Sequence, residues 1–592
     1  MITTYASPRL ALEASRICSP SLWYCACVTN LSSFAITRKS LWLVLVLALF
    51  TRFAAAQETV HVQVDAGKNQ GPFQSVWAYF GADEPNYSYA PHGKELVGEL
   101  SALSPVPVQI RVHNLLTTGG GTASLKWGST NAYTEDASGK PVYDWKIVDR
   151  IFDTYLETGA KPFVEIGFMP QALSAHPEPY RHDFPKGEIF TGWAYPPNDY
   201  KKWAELVHQW VLHCVEKYGK AQVETWNWEL WNEPDIPYWK GTPEEYNKLY
   251  DYTVDAVRRA LPNAKVGGPA TTGPARKAAG EYLRQFLEHC ANGKNFVTGK
   301  TGTPLDFITF HAKGQPKVVD GHVQMGLLNN LRDVDEGLAI VASFPKFASL
   351  PIVLSESDPE GCAACSVTTH PQNAYRNGTM YPSYTAAAVR NILDLNQKHK
   401  TNLQGILTWA FEFEDQPYFA GFRDLATNGV DKPVLNIFRV LGMMGNQRVA
   451  AVSSGALDVA KILDNGVRDK ADVDAIATRT PHRVTVLLWN YHDDDVSAPD
   501  APIKLDISGL PEQSQKIMMR HYRIDRDHSN AYTVWKDIGS PQNPTPEQYA
   551  KLKAAGQLQL LGSPQFVESK LGTMTLEFTL PRQGVSLVEL SW

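Results

Sequence analysis

Cysteine is scarce in this chain of 592 residues, with seven in all. Cys18, Cys25 and Cys27 precede residue 57, and Cys214, Cys290, Cys362 and Cys365 follow it. Only Cys362 and Cys365 are spaced like a metal or redox pair, and no second pair with ligand spacing joins them, so nothing points to a metal site. A local disulfide and a pair of free thiols both fit that spacing. Excess charge of one sign is missing too. The 56 Lys and Arg against 62 Asp and Glu give a net charge of −6, which offers no basic face for nucleic acid. There is no long low-complexity linker and no repeat beyond an alternation of strand and helix patterns. Gly267-Gly268 is not followed by Gly-Lys-Ser/Thr, which excludes a phosphate-binding loop of that type. The apolar run over 41–50 is too short for a comfortable membrane span.

What is present at the N-terminus reads as an export signal. Arg38-Lys39 precede that run, and Ala54-Ala55-Ala56 offers a small-residue cleavage site before Gln57. The expected location is secreted or periplasmic, with an uncleaved anchor as the only membrane association. Residues 1–37 are long for an n-region, so a true start further in, near Arg38, is the expectation. Length predicts two or three domains, and 43% hydrophobic with 20% charged residues is ordinary for a globular protein. The 16 Trp and 25 Tyr are generous, and aromatic rings stack on sugars as readily as they fill cores. Nothing in the sequence sets an oligomeric state.

The most informative stretch is Trp226-Asn227-Trp228-Glu229-Leu230-Trp231-Asn232-Glu233-Pro234. Read as a strand from Val223, period-two alternation puts Thr225, Asn227, Glu229, Trp231 and Glu233 on one face. Glu233 then stands at the tip, because Pro234 cannot donate to a ladder. Far downstream, Pro351-Ile352-Val353-Leu354-Ser355-Glu356-Ser357-Asp358 repeats the layout, an apolar run with an acid where it ends. Two acids on two strand tips, facing each other across a sugar, are what glycoside hydrolysis needs.

Asn232-Glu233-Pro234 and the later Glu356 resemble the acid/base and nucleophile strands of retaining glycosidases. In its fuller context, from Trp228 to Pro234, the chain is similar to glycoside hydrolase family 39, which contains β-xylosidases and α-L-iduronidases. The similarity runs with gaps from about Trp77 to the C-terminus. It implies an α/β protein, a (β/α)8 TIM barrel with a C-terminal β-sandwich accessory domain. The expected organisation is a signal region at 1–56, an N-terminal β segment at 57–74 packed on the accessory domain, the barrel at 75–445 and the accessory domain at 446–592.

The remaining strands follow in order. The first is expected at 75–80, leading into an acidic loop where Asp83 and Glu84 suit either sugar hydroxyls or a solvated turn. The second ends on Ile110-Arg111-Val112-His113. The resemblance puts Arg111 beneath the nucleophile and His113 against substrate, with Asn114 standing where the family usually has Gly. A third strand is predicted at 162–170, followed by a loop whose His176, Tyr180 and Trp193 are candidates for a cleft wall. Thr242-Pro243-Glu244-Glu245 is a capping box with Pro at the first helical position. Strands five and six are read at 265–269 and 305–311, and the resemblance assigns His311 a substrate contact. The eighth strand is read at 405–411. The resemblance makes Trp409 the floor of the sugar subsite and Glu414 and Asp415 binders of ring hydroxyls. Beyond Gly445 the pattern turns to strands, with one helix opened by Thr545-Pro546-Glu547-Gln548; the segment 522–535 is left free to fold back toward the barrel.

The expected function is a retaining O-glycosyl hydrolase, most simply a β-xylosidase releasing xylose from xylo-oligosaccharides. Glu356 is the expected nucleophile and Glu233 the acid/base, with Asn232 on the 2-hydroxyl. The expected partner is an oligosaccharide or glycoside, and no cofactor or metal is implied. Alternatives are β-glucosidase, β-galactosidase, arabinoside-releasing or α-L-iduronidase activity, or a sugar-binding barrel without turnover.

Overall fold

Eight short strands, each buried on both faces, set the architecture. The computed structural model describes residues 58–592, apart from 183–188, 191 and 512–515. The predicted signal region therefore lies outside the described residues. The strands are β1 (Tyr79–Ala82), β2 (Gln109–Val112), β3 (Lys161–Ile166), β4 (Asn227–Leu230), β5 (Lys265–Thr271), β6 (Phe307–Lys313), β7 (Pro351–Asp358) and β8 (Asn402–Ile406). They pair in parallel in simple sequential order. A parallel bridge between Phe80 and Thr408, with the Gly81 N–H donating to the Thr408 carbonyl at 3.0 Å, joins the first strand to the last. Parallel strands covered by helices are buried throughout, which is why they read as continuous apolar runs. The result is a (β/α)8 barrel.

Each strand is followed by a helix that packs its apolar stripe outside the barrel. Helix Pro243–Ala260 begins with the capping box that the sequence predicts. The Thr242 hydroxyl accepts the Glu245 N–H at 3.2 Å, and the Glu245 carboxylate accepts the Thr242 N–H at 2.7 Å. Inside the barrel, register aligns Phe163 with Arg111 and Asn227, and Glu165 with Glu229, so these side chains share one inward-facing set. Phe163, Phe307 and Val353 form a small apolar plug against Tyr79. Arg111, Glu165 and Glu229 make the interior polar.

Two readings of strand extent change. Val223 lies in a helical turn, Lys220–Val223, rather than in the central strand, which begins at Asn227. Val223 and Trp226 are apolar because they are buried in the main core, not because they are in the ladder. The alternation also stops at Leu230. Trp231 and Glu233 adopt left-handed φ values of +67° and +44°, so Glu233 stands on a turn beyond the strand.

The C-terminal strands form one continuous ten-stranded sheet. Strand Val60–Pro72 runs through its middle, antiparallel to Gln447–Ser453 and parallel to Ala501–Ser508. Strands from both ends of this sheet contribute to a single apolar core that includes Val62, Val64, Ile503, Leu505, Ile517 and Val588, so the sheet folds over on itself. Its other face, through Leu487, Trp489, Ile524 and Leu587, joins the main core of the barrel. Segment 522–535 does reach the barrel side, where helix Ala531–Asp537 places Tyr532 and Trp535 against Phe419.

Candidate active site

Arg111, fully buried on β2, is the hub of the site. Its Nε donates to Glu229 at 2.5 Å, Nη2 to Asn232 Oδ1 at 3.1 Å, and Nη1 to Glu356 Oε1 at 3.3 Å. Nη2 also pairs with Glu165 at 2.9 Å. These three acids come from β3, β4 and β7. A planar guanidinium with five donors meets such a set better than a point-charge lysine. Burial opposes its charge, but Glu229, Glu165 and Glu356 raise its pKa and keep it protonated.

Glu356 and His311 are register partners on β7 and β6. Burial is the strongest influence on the Glu356 carboxyl and favours the neutral form. The influence of His311, Lys313, Arg111 and His113 outweighs it and holds the group well below the usual carboxylate range. Lys313 Nζ is 2.8 Å from Glu356 Oε2 and 2.7 Å from Asp358. Glu165 goes the other way: burial lifts it above the usual range despite His113 and Arg111.

The turn after β4 brings the second acid in. The Glu233 N–H donates to the Ala270 carbonyl at 2.9 Å, and the Trp231 N–H to the Ile166 carbonyl at 3.2 Å. A non-glycine residue in left-handed backbone costs on the order of 1–3 kcal/mol, which these contacts offset. Glu233 Oε1 then meets His311 Nδ1 at 3.0 Å. One carboxylate oxygen of Glu233, one of Glu356 and a ring nitrogen of His311 lie within 4.8 Å of one another. The charge on Glu356 is already matched by Lys313 and Arg111, without an ion.

Both acids open into a cavity of about 700 Å³ that Asn232, His113, Lys313 and Trp409 also line. Its position matches the C-terminal face of the barrel, where such enzymes build their sites. Trp409 is buried, with its indole N–H on Asp83 at 3.1 Å and its ring 4.4 Å from that of His113. Asp83 is itself ion-paired to Lys126. Burial pushes the Asp83 carboxyl up, but Lys126 and His113 bring it below its ordinary value, while burial and the Asp83 charge push Glu84 up to about 8. This acidic stretch is therefore buried in the wall and is not a solvated turn. Asn114, in the place where the family has Gly, adopts φ +64° and donates its amide to the Asp83 carbonyl at 2.9 Å.

The structure thus gathers Arg111, His113, Asn232, Glu233, His311, Glu356 and Trp409. It does not gather Glu414 and Asp415, neither of which lines the cavity. Glu414 accepts the His92 N–H at 2.8 Å, in the first turn of helix Pro91–Leu103, and Asp415 is exposed. A first-turn N–H has no partner within its own helix, so a nearby carboxylate is drawn there. Of the proposed cleft wall, Tyr180 lines the cavity and His176 is exposed. The Trp193 indole is buried, donating to the Pro177 carbonyl. Cys362 and Cys365 form a disulfide, and Cys362 belongs to the cavity wall. Sequence reasoning missed Lys313, whose signal was its place two residues after His311 on the same strand face. It also missed Lys126, in a long aperiodic loop that carries no such signal.

A closed (β/α)8 barrel that presents two carboxylates across a sugar-sized cavity at its strand ends is a glycoside hydrolase architecture. The chain belongs to glycoside hydrolase family 39: the family model described as Glycosyl hydrolases family 39 matches residues 60–560. It is an O-glycosyl hydrolase. The chain is 25% identical over 471 residues to a β-xylosidase of Geobacillus stearothermophilus, covering 77% of this chain and 82% of that one. It is 24% identical over 583 residues to the α-L-iduronidase of Mus musculus, covering 91% of this chain and 82% of the relative. Among solved structures, a monomeric β-xylosidase from Caulobacter crescentus CB15 superposes with TM-score 0.68 at 22% identity, over 90% of this chain and 99% of that one. At that identity the match speaks for the fold alone.

Proposed function

We propose that the protein is an exported retaining glycosidase that removes xylose from β-linked xylo-oligosaccharides by double displacement. Glu356 attacks the anomeric carbon while Glu233 protonates the departing oxygen. Glu233 then takes a proton from the water that releases the sugar from Glu356. The observation that carries this reading is the approach of the two carboxylates to within 4.8 Å. Retaining enzymes hold the pair roughly 5–5.5 Å apart, whereas inverting enzymes leave room for a water. The cations around Glu356 suit a nucleophile that must be ionised, and Asn232 beside Glu233 is placed for the 2-hydroxyl. Trp409 offers an aromatic floor. The xylose preference rests on the β-xylosidase relatives, and export rests on the basic and apolar pattern at 38–56. The described residues contain no helix long and apolar enough to cross a membrane.

A panel of nitrophenyl glycosides tests the sugar: β-xyloside, β-glucoside, β-galactoside, α-L-arabinosides and α-L-iduronide. The expected result is fastest cleavage of the β-xyloside, with NMR showing that the first sugar released is the β-anomer. Glu356→Ala should lose turnover, and azide should restore it with formation of the α-azide. An α-anomer as first product of the wild-type enzyme rules the scheme out.

A second reading, α-L-iduronidase activity, is favoured by Lys313. Its ammonium has three donors, two of which meet Glu356 and Asp358. The third is left for a sugar carboxylate in the cavity. Turnover confined to the iduronide would select this reading.

A further inference from the structure

Five acids line the cavity, and four meet partners within the protein that account for their charge or their hydrogen bonds. Asp83 pairs with Lys126, Glu356 with Lys313 and Arg111, and Glu360 with Arg376 and Arg423. Both oxygens of Asp333 accept main-chain N–H groups, from Ala275 at 3.2 Å and from Lys313 at 3.1 Å. The fifth, Glu233, holds His311. The lining cations are not matched in the same way. Lys126 and Lys313 are paired, but Arg276 and Arg332 make no ion pair among the described residues, and Arg332 donates only to the Leu463 carbonyl at 2.9 Å. The charge of Arg276 is felt by Asp333, without contact.

The two arginines line the cavity from the segments that follow two neighbouring strands. Arg276 precedes helix Lys277–Asn292, in the loop after β5, and Arg332 lies in helix Leu327–Ala342, after β6. The end of β5 borders the turn that carries Glu233, whose N–H it receives at Ala270, and β6 is the next strand round. The group that Glu233 protonates is the leaving oxygen, so the side of the cavity bordered by this turn receives the leaving group. A single exposed arginine is unremarkable. Two that make no ion pair among the described residues, lining the same cavity as the acid/base while its acids are otherwise engaged, form a local positive field.

We infer that Arg276 and Arg332 select substrates whose leaving group carries a negative charge, a carboxylate or a sulfate-type anion. This rests on the hydrolase mechanism proposed above and concerns only the leaving group, whatever the sugar that is released. Guanidinium groups suit both anions, since their paired N–H donors match planar or tetrahedral oxyanions.

The test uses aryl glycosides of the sugar selected by the panel, in pairs matched for shape. One pair has 4-carboxyphenyl and 4-carbamoylphenyl leaving groups, and the other has 4-sulfophenyl and 4-sulfamoylphenyl. Wild-type kcat/KM should favour the anion of at least one pair by about tenfold, and the preference should shrink as salt rises, since exposed charges are screened. The Arg276→Ala/Arg332→Ala double variant should lose that preference while cleaving the neutral member within about twofold of wild type. Which pair responds tells carboxylate from sulfate-type recognition. Equal wild-type rates within both pairs overturn the inference and leave the hydrolase reading intact, as does a preference that survives in the double variant. Failure of the folded enzyme to cleave any member overturns the hydrolase reading, and the inference with it.

Discussion

A carboxylate withdrawn from water usually keeps its proton, so the contrast between Glu356 and the other buried acids shows what neighbouring charge does. Glu356 is held ionised by His311, Lys313, Arg111 and His113. Glu412, in the loop after β8, has mainly acids for company. Its carboxylate accepts the Gly429 N–H at 2.6 Å, but burial, with Asp424, Glu414 and Asp431 nearby, pushes it from 4.5 up to about 8. The native state therefore keeps a proton that the unfolded chain releases near pH 4.5. The stability contributed by this group is full below that pH and falls as pH rises toward about 8. Its share of the slope is at most about 1.4 kcal/mol per pH unit. Glu412→Gln, which keeps an acceptor for Gly429, should flatten the decline in urea midpoint between pH 5 and pH 8.5. A variant whose midpoints fall as steeply as those of wild type contradicts this account. Glu84, also near 8, keeps some slope in either protein.

At the scale of elements, the sequence was most legible where a local rule had no competitor. Thr242 and Thr545 both open helices through reciprocal capping boxes, as their tetrapeptides predict. Strand β7 runs over the residues expected of it, with Glu356 inside it. Legibility failed where tertiary demands override local pattern. The turn at Trp231 and Glu233 breaks a clean alternation, and distant groups hold it: the carbonyls of Ala270 and Ile166 from two other strands, and Arg111 on Asn232. The family resemblance made Glu414 a binder of ring hydroxyls, whereas its carboxylate accepts an N–H in the first turn of a helix over 300 positions earlier. Placement of Trp409 also depends on a distant element, because Gly81 on β1 leaves room for its ring. A Cβ at Gly81 would lie 2.5 Å from Trp409 Cε3 and 2.6 Å from the Arg111 carbonyl oxygen. Overpacking of this kind typically costs about 1–3 kcal/mol. Gly81→Ala should lower the thermal midpoint and, by displacing the floor of the cavity, reduce kcat/KM by about tenfold or more. Unchanged kcat/KM in a destabilised variant would separate Trp409 from substrate binding.

For the whole molecule, the question is whether barrel and C-terminal sheet unfold as one body. Residues 57–592 form a single compact unit. The chain crosses between the two parts twice, since strand Val60–Pro72 enters the sheet before the barrel begins. The barrel helix Met380–His399 lies against the sheet, with the Ser383 hydroxyl on Gln583 at 2.7 Å and Tyr384 edge-on to Tyr491. Leu487, Trp489 and Leu587 belong to the same core as the barrel helices. An apolar core shared by two parts makes the partly unfolded state expensive, because melting either one exposes the matching face of the other. Calorimetry on the protein should therefore give one transition, with van't Hoff and calorimetric enthalpies in agreement. Trp489→Ala removes a fully buried indole whose N–H donates to Asp472 at 2.9 Å. It should lower that transition as a unit, by about 3–5 kcal/mol, with activity and sheet structure lost together on heating. If the variant instead shows two resolved peaks, with turnover persisting through the first, the sheet is a dispensable appendage and the barrel stands alone.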